Sequence, residues 1–359
     1  METIKINCLL FIFFLISNSF CEIYYDSYGK KIELPKTPEK IIAIGPGAAR
    51  LISYLGKTEK LIATENIEIK YPQGRPYNAA YREIFKKLPI ISEGGPDKIP
   101  DYEKILMLRP DLIVLCSADF ALSSSISAKT GIPVFNADYG NLGTFELEKF
   151  KKTLISLGKI LAAEDRANFL LKRIDYYVSD LSKRSAGKLN PEIYVGGLGF
   201  KGSQGILSTQ YLYEPFSLLG LKSVIDSQEK PLHIFIDKEK LAVLNPEYIF
   251  LDSGGLDAFI DDYNKSKNYY LTLKAFKKRN VYTTLPYNYY TTNVEIVFAN
   301  AYFIGKILFP ESFSDLNIDK KAAEIIKDFL GKDVYHYFTE EKRFYKRISQ
   351  KDEIYFQRI

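Results

Sequence analysis

Residues 101–115 read DYEKILMLRPDLIVL, and residues 237–251 read DKEKLAVLNPEYIFL. Asp, Glu, Lys, Leu, Pro, Ile and Leu stand at the same offsets in both stretches. Other offsets exchange Ile for Leu, Met for Val and Asp for Glu. Each copy reads as a short helix opened by an acid. Pro then ends that helix, because it lacks an amide donor and disfavours helix in the residue before it. The apolar run that follows reads as a strand buried on both faces. A chain that repeats this unit is constrained to build two similar halves.

The flanking sequence repeats the same grammar. KIIAIGPGAARLISYLG is a strand, a Gly-Pro-Gly turn and an amphipathic helix ending at Gly56. KLIAT is a further strand, and SSISAKTGIPVFNA reads as helix, turn and strand. The alternation restarts with EIYVGGLGF at 192–200, a strand running into a Gly-rich loop. YEPFSLLGL follows as a helix ending at Gly220, then NVYTTL as a strand. Two helices close the series, one stopped at Pro310 and one at Gly331. Between the two series, residues 145–186 carry apolar side chains at three- and four-residue steps, with AEDR at 163–166 marking a fresh helix start. The second piece would be about 33 Å long at 1.5 Å per residue. The fold class expected is therefore α/β, with two α/β lobes of mainly parallel sheet joined by a single long bridging helix. The length of 359 residues suits two domains. The divisions expected are a leader at 1–20, a first lobe at 21–162, a bridge at 163–187, a second lobe at 188–338 and a charged, poorly ordered tail at 339–359.

Lys5 followed by CLLFIFFLISNSF has the form of a secretory signal peptide, with SNS at 17–19 offering a cleavage site. The apolar stretch is shorter than the roughly 20 residues needed to span a bilayer. Export to the periplasm is expected. Cys21 would permit a lipid anchor after cleavage. Phe20, bulky where a lipoprotein signal takes a small residue, favours soluble release. Cys8 leaves with the leader, and Cys116 reads as a buried small hydrophobe. No disulfide framework follows from these. The net charge of +5 is intermixed, without a basic run, so no nucleic-acid partner is expected. Tyrosine is abundant, at 27 residues, and this bias in composition means that only clustered tyrosines carry weight.

Taken in order, KIIAIGPGAARLISYLG, DYEKILMLRPDLIVL, TGIPVFNA, the long helix and DKEKLAVLNPEYIFL resemble the periplasmic substrate-binding proteins of ABC importers for iron-siderophores, haem and cobalamin. The likeness runs over about residues 30–338. It implies a ligand cleft between the lobes, no enzymatic activity, no cofactor, a monomer, and delivery to an ABC permease in the inner membrane. The ligand expected is an iron(III) chelate, with cobalamin or haem as the alternative. The resemblance also implies that Glu103 and Glu239, at matching positions of the repeat, dock on the permease. The plainer account of both is that acids in a first helical turn favour its positive end. One departure is GPGAAR, which places Arg50 where the family more often has a Thr-Glu pair, and this points to an anionic ligand. The related zinc and manganese binders use several histidines; here only His233 and His336 exist.

In open α/β sheets ligands bind beyond the carboxyl ends of the strands. The residues there are Arg75, Tyr77 and Tyr81 in YPQGRPYNAAYRE, Gly95 in EGGPD, and Asp119 and Phe120 after DLIVL. The second lobe offers Lys201, Tyr211 and Tyr213, then Tyr287, Tyr289, Tyr290 and Asn293 in PYNYYTTN. Arg and Lys can pair with the oxygens of an anionic chelate. Tyrosines can cover its flat faces, or Tyr77 and Tyr289 could bind ferric iron as phenolates. The competing reading is that these are surface loops of biased composition, and His233 reads as structural. An exported α/β hydrolase is the competing class. The chain has no Gly-x-Ser-x-Gly elbow and no metal-hydrolase histidine motif.

Overall fold

The computed structural model describes residues 21–96, 98–117, 120–341, 343–350 and 354–358. The expected leader and Asp119 lie outside the described residues. A hairpin of β1 (Glu22–Tyr25) and β2 (Lys31–Leu34) opens the chain. The first lobe is built on β3 (Ile41–Ile44), β4 (Leu61–Glu65), β5 (Ile90–Ser92), β6 (Leu112–Cys116) and β7 (Val134–Ala137). These form a parallel sheet of order β5-β4-β3-β6-β7. β3, β6 and β7 are buried at every position, as strands covered on both faces must be.

The second lobe starts with β8 (Ile193–Gly196), and β9 (Ser208–Tyr211) pairs with β10 (Leu232–Phe235) as a separate antiparallel hairpin. The main sheet continues with β11 (Tyr248–Asp252), β12 (Val281–Thr284), β13 (Lys346–Gln350) and β14 (Ile354–Arg358), in the order β14-β13-β12-β11-β8. β8, β11 and β12 are parallel; β13 and β14 are antiparallel. This corrects one expectation. Within the charged tail, the described stretches 346–350 and 354–358 form two strands. Its few apolar side chains anchor it: Ile348 is buried, and the Tyr345 ring stacks on Phe303 at 4.2 Å. The surrounding Lys and Arg residues hid this short alternation in the sequence.

The repeat is one capped unit built twice. Asp101 caps the helix Tyr102–Leu108 by accepting from the Lys104 amide, and Asp237 caps Lys238–Leu244 by accepting from the Lys240 amide. Both helices end on a left-handed residue, Arg109 or Asn245, immediately before the proline. β6 and β11 then run parallel to β3 and β8. The 22-residue helix Glu164–Ser185 lies between the lobes in sequence. It buries Ala167, Leu170, Ile174, Tyr177 and Leu181 at helical spacing. Arg166, near its start, donates to the carbonyls of Tyr54, Asp328 and Phe329. The helix Val294–Leu308 is buried nearly all round, and one apolar core runs from the first lobe through it into the second. Among the described residues no helix is long and apolar enough to cross a membrane.

Candidate functional site

The carboxyl ends of the strands in both lobes face a cavity of about 700 Å³. From the first lobe it is lined by Pro46, Ile67, Tyr71, Arg75, Gly95, Pro96, Lys98, Leu142 and Gly143. From the second come Gly199, Phe200, Lys201, Gly202, Ser203, Gly254 and the run Asn288–Thr291. The glycines let backbone form much of the wall, and Tyr71, Phe200, Tyr289 and Tyr290 supply flat faces. Every charged side chain lining it among the described residues is a cation: Arg75, Lys98 and Lys201. Lys98 and Lys201 are exposed and have no carboxylate partner among the described residues.

The loop after β12, residues 287–293, is a wedge from the second lobe set into the first. The Asn288 amide donates to Gly143 O (2.5 Å), Thr292 Oγ1 to Thr144 O (3.2 Å) and Asn293 Nδ2 to Gly74 O (2.8 Å). Arg50 holds the wedge from below. Its guanidinium donates to Tyr289 O (3.0 Å), Tyr290 O (3.3 Å), Asn293 Oδ1 (2.8 Å) and Tyr139 Oη (3.0 Å), and it lies 4.8 Å from the Tyr77 ring centre. The turn that carries Arg50 needs its glycines, because Gly45 and Gly47 both have left-handed φ. A Cβ at Gly47 would come within 2.9 Å of the Thr291 methyl.

Two buried carboxylates organise the first-lobe side. Glu65 closes β4 and accepts from the Gly45 amide (3.0 Å), Ser92 Oγ (2.9 Å) and Tyr290 Oη (2.6 Å). It thereby gathers the ends of three strands and one phenol from the other lobe. Burial pushes its carboxyl up to about 7, against the lowering effect of these donors. Glu68 accepts from Tyr77 Oη (2.6 Å), Arg75 (2.9 Å) and Asn78 (2.8 Å). Arg75 also donates to Ile67 O (2.7 Å) and to Tyr71 O, so both its terminal nitrogens are occupied. On the far side, Phe200 stacks on His233 at 4.2 Å, and the ring nitrogen Nε2 lies 2.8 Å from Ser208 Oγ. Burial presses the His233 pKa down to about 4.

Of the residues expected from sequence, Arg75, Gly95, Lys201, Tyr289 and Tyr290 line the cavity together. Others lie elsewhere. Arg50 is wholly buried and serves as a strut, because the wedge carbonyls take its donors. Tyr77 is buried, its hydroxyl held by Glu68, and burial raises its pKa further; it has no open face for iron. Tyr81 donates to Leu330 O (2.7 Å), away from the cavity. Phe120 is exposed against Tyr28, with ring centres 5.0 Å apart. Tyr213 and Tyr287 are buried and pack on each other at 4.8 Å. Tyr211 ends β9 and does not line the cavity. Asn293 is buried at the start of its helix, tied to Gly74 and Pro286. Sequence reasoning missed Glu65, Glu68, Lys98 and Phe200. Glu65 left a signal, a lone acid closing the apolar strand LIATE.

Residues 41–287 match the sequence profile of a family described as periplasmic binding protein. The chain belongs to that family. Members are the binding proteins of transporters, and membership places the chain in the periplasm or outside the cell. It is 25% identical over 242 residues to petrobactin-binding protein YclQ of Bacillus subtilis, covering 64% of this chain and 68% of that protein. It is 24% identical over 172 residues to ferric-anguibactin-binding protein FatB of Vibrio anguillarum, covering 48% of this chain and 53% of that one. Its fold matches the molybdate periplasmic binding protein MolA of Haemophilus influenzae with a TM-score of 0.70, at 15% identity, over 87% of this chain and 98% of MolA.

Proposed function

We propose that this protein captures an anionic iron(III) chelate of the siderophore kind and delivers it to an ABC permease. The observation that carries this reading is the cavity itself. Its volume suits a small organic ligand, aromatic faces line it, and each described charged side chain on its wall is positive. The relatives named for ferric chelates support the same class. Lys98 and Lys201 would contact the chelate's anionic oxygens, Tyr289 and Tyr290 its flat faces. Arg75 would shape the wall rather than contact the chelate, since the buried Glu68 carboxylate pairs with its charge and two carbonyls take its remaining terminal donors. Membership of a family whose members are the binding proteins of transporters favours this reading over the hydrolase class. Periplasmic release, rather than anchoring through the exposed Cys21, remains the expectation.

Absorption and mass spectra of protein purified under native conditions test the ligand. An orange ferric charge-transfer band with a stoichiometric organic chelate is expected. A Soret band or a corrin spectrum would replace the chelate by haem or cobalamin. An amino acid or sugar, or turnover of glycosides or phosphoesters, would overturn the proposal. Retention of the band in Tyr289→Phe would mean that the tyrosine packs on an intact chelate.

The docking surface is proposed on the repeat. Both copies leave the same offsets uncovered: Ile99 and Phe235 are 70% and 57% exposed, Met107 and Val243 81% and 80%. Glu103 and Glu239 lie exposed between them. An acid flanked by uncovered apolar side chains, repeated on two lobes, fits a partner that offers two equivalent basic and apolar patches. Glu103→Lys with Glu239→Lys should abolish uptake while ligand affinity in solution is unchanged. Normal uptake by the double variant would leave only the helix-dipole role.

A further inference from the structure

The wedge contains two consecutive residues other than glycine in the left-handed region, Tyr290 at φ 59° and Thr291 at φ 63°. Thr291 is β-branched, for which this conformation is a genuine outlier. Such a backbone persists only where its surroundings over-determine it. Below the wedge, Arg50 fixes the carbonyls of Tyr289 and Tyr290. At the outer end, among the described residues, the Tyr290 side chain does the fixing. Tyr290 Oη donates to Glu65 Oε2 (2.6 Å) and accepts from the Gly95 amide (2.8 Å), so one phenol joins the ends of two first-lobe strands to a second-lobe loop. The Arg75 guanidinium lies 5.6 Å from the ring centre. Both Tyr290 and Gly95 line the cavity.

We propose that Tyr290 is the latch between the lobes: its phenol, lodged between Glu65 and Gly95, holds the strained wedge in place and so fixes the width of the cleft. Tyr290 is then a positioning residue for whatever fills the cavity. The inference does not depend on the identity of that ligand. Other cross-lobe bonds from the wedge, at Gly143, Thr144 and Gly74, use backbone carbonyls as acceptors. The phenol bonds to an ionisable acceptor and borders the cavity; its release removes the outer tie on the wedge, whose strained Tyr290 and Thr291 then shift against the remaining bonds from Arg50 and to Gly143, Thr144 and Gly74. The neighbouring Tyr289 ring would move with them. It now sits so close over Gly74 that a Cβ there would lie 2.6 Å from it.

The test uses the full ligand-free protein. Tyr290→Phe removes one hydroxyl and keeps the ring. Hydrogen exchange of the Gly95 amide should accelerate by about ten- to a hundredfold, the range for losing hydrogen bonds in a network with a charged member. Nitroxides on Met107→Cys and Val243→Cys, in a Cys21→Ser background, report the distance between the two rims. The parent should give one narrow distribution, and Tyr290→Phe a second, longer population. Thr291→Gly relieves the strain without touching the phenol, and should restore a single narrow distance when combined with Tyr290→Phe. Glu65→Gln keeps an acceptor for the phenol and should leave Gly95 protected. The proposal is overturned if Tyr290→Phe leaves the Gly95 exchange within about twofold and the rim distances unchanged. It is equally overturned if exchange rises uniformly across the chain while the rim distance stays the same.

Discussion

Arg50 offers the sharpest division between a ligand contact and a structural strut. Arg50→Met keeps most of the apolar stem and deletes the guanidinium. It strands Tyr289 O, Tyr290 O, Asn293 Oδ1 and Tyr139 Oη, all now within 3.3 Å of it. Hydrogen bonds involving a charged group contribute about 1.5–3 kcal/mol each, but they do not add in a shared network. Removing one partner of a buried charged cluster costs about 3–5 kcal/mol. That range is the expected loss, a large part of the stability of an ordinary domain. The buried Glu295, whose pKa burial raises and Arg50 lowers, would lose its nearby positive charge and bind a proton more tightly. Arg50→Lys should recover less than half of the loss, because a point-like ammonium cannot reach acceptors on several sides.

The assay is urea unfolding followed by circular dichroism, comparing midpoints at constant slope. Since one apolar core passes through both lobes, the wedge and the lobes should report together. If Arg50→Met unfolds within about 1 kcal/mol of the parent yet loses affinity for the native ligand, Arg50 is a ligand contact and the strut assignment is wrong.

Two further outcomes follow from the same geometry. The Glu65 carboxyl is raised from its ordinary value to about 7 by burial. Its contribution to stability is therefore complete below about pH 4.5 and lost as pH rises through 7, about 3 kcal/mol in all; Glu65→Gln should flatten that slope in unfolding curves between pH 5 and 8, and an unchanged slope would show that Glu65 is not the titrating group. Lys98→Ala and Lys201→Ala should each weaken binding of an anionic ferric chelate about tenfold or more, with a smaller salt dependence, whereas Arg75→Ala should act mainly on stability; titration calorimetry at two ionic strengths separates the cases.

The scaffold was legible because its determinants are local. Asp101 and Asp237 cap their helices, Pro110 and Pro246 follow residues in left-handed conformation, and the strand after each is a buried apolar run. Every one of these signals lies within fifteen residues of its effect, and the repeat displays it twice. The tail was misread for the complementary reason. Ile348 and Tyr345 carry the information, and charged neighbours outnumber them. The site was legible only in outline. The rule that ligands lie beyond strand ends found the right loops, yet it cannot say which side chain of a loop turns toward the cavity. Tyr289 and Tyr290 line it, while Tyr287, two residues away, is buried against Tyr213.

The rest of the site depends on contacts between residues more than 140 positions apart, and these decide the roles. Arg50 has the chemistry of an anion contact in isolation; it becomes a strut because Tyr289, Tyr290 and Asn293 arrive from the other lobe with acceptors. Glu65 is a lone acid in sequence and a junction in space because Tyr290 reaches it. The two lobes share a scaffold but divide the work unequally. The first supplies glycine turns and buried carboxylates that receive a guest, and the second supplies the wedge. Since one loop provides both the aromatic wall of the cavity and the bonds across the cleft, changes in it alter ligand shape preference and lobe spacing together. A substitution confined to Lys201, which is exposed, touches only the wall. Ligand preference should therefore be separable from lobe geometry on the β8 side of the cavity, and inseparable from it on the wedge side.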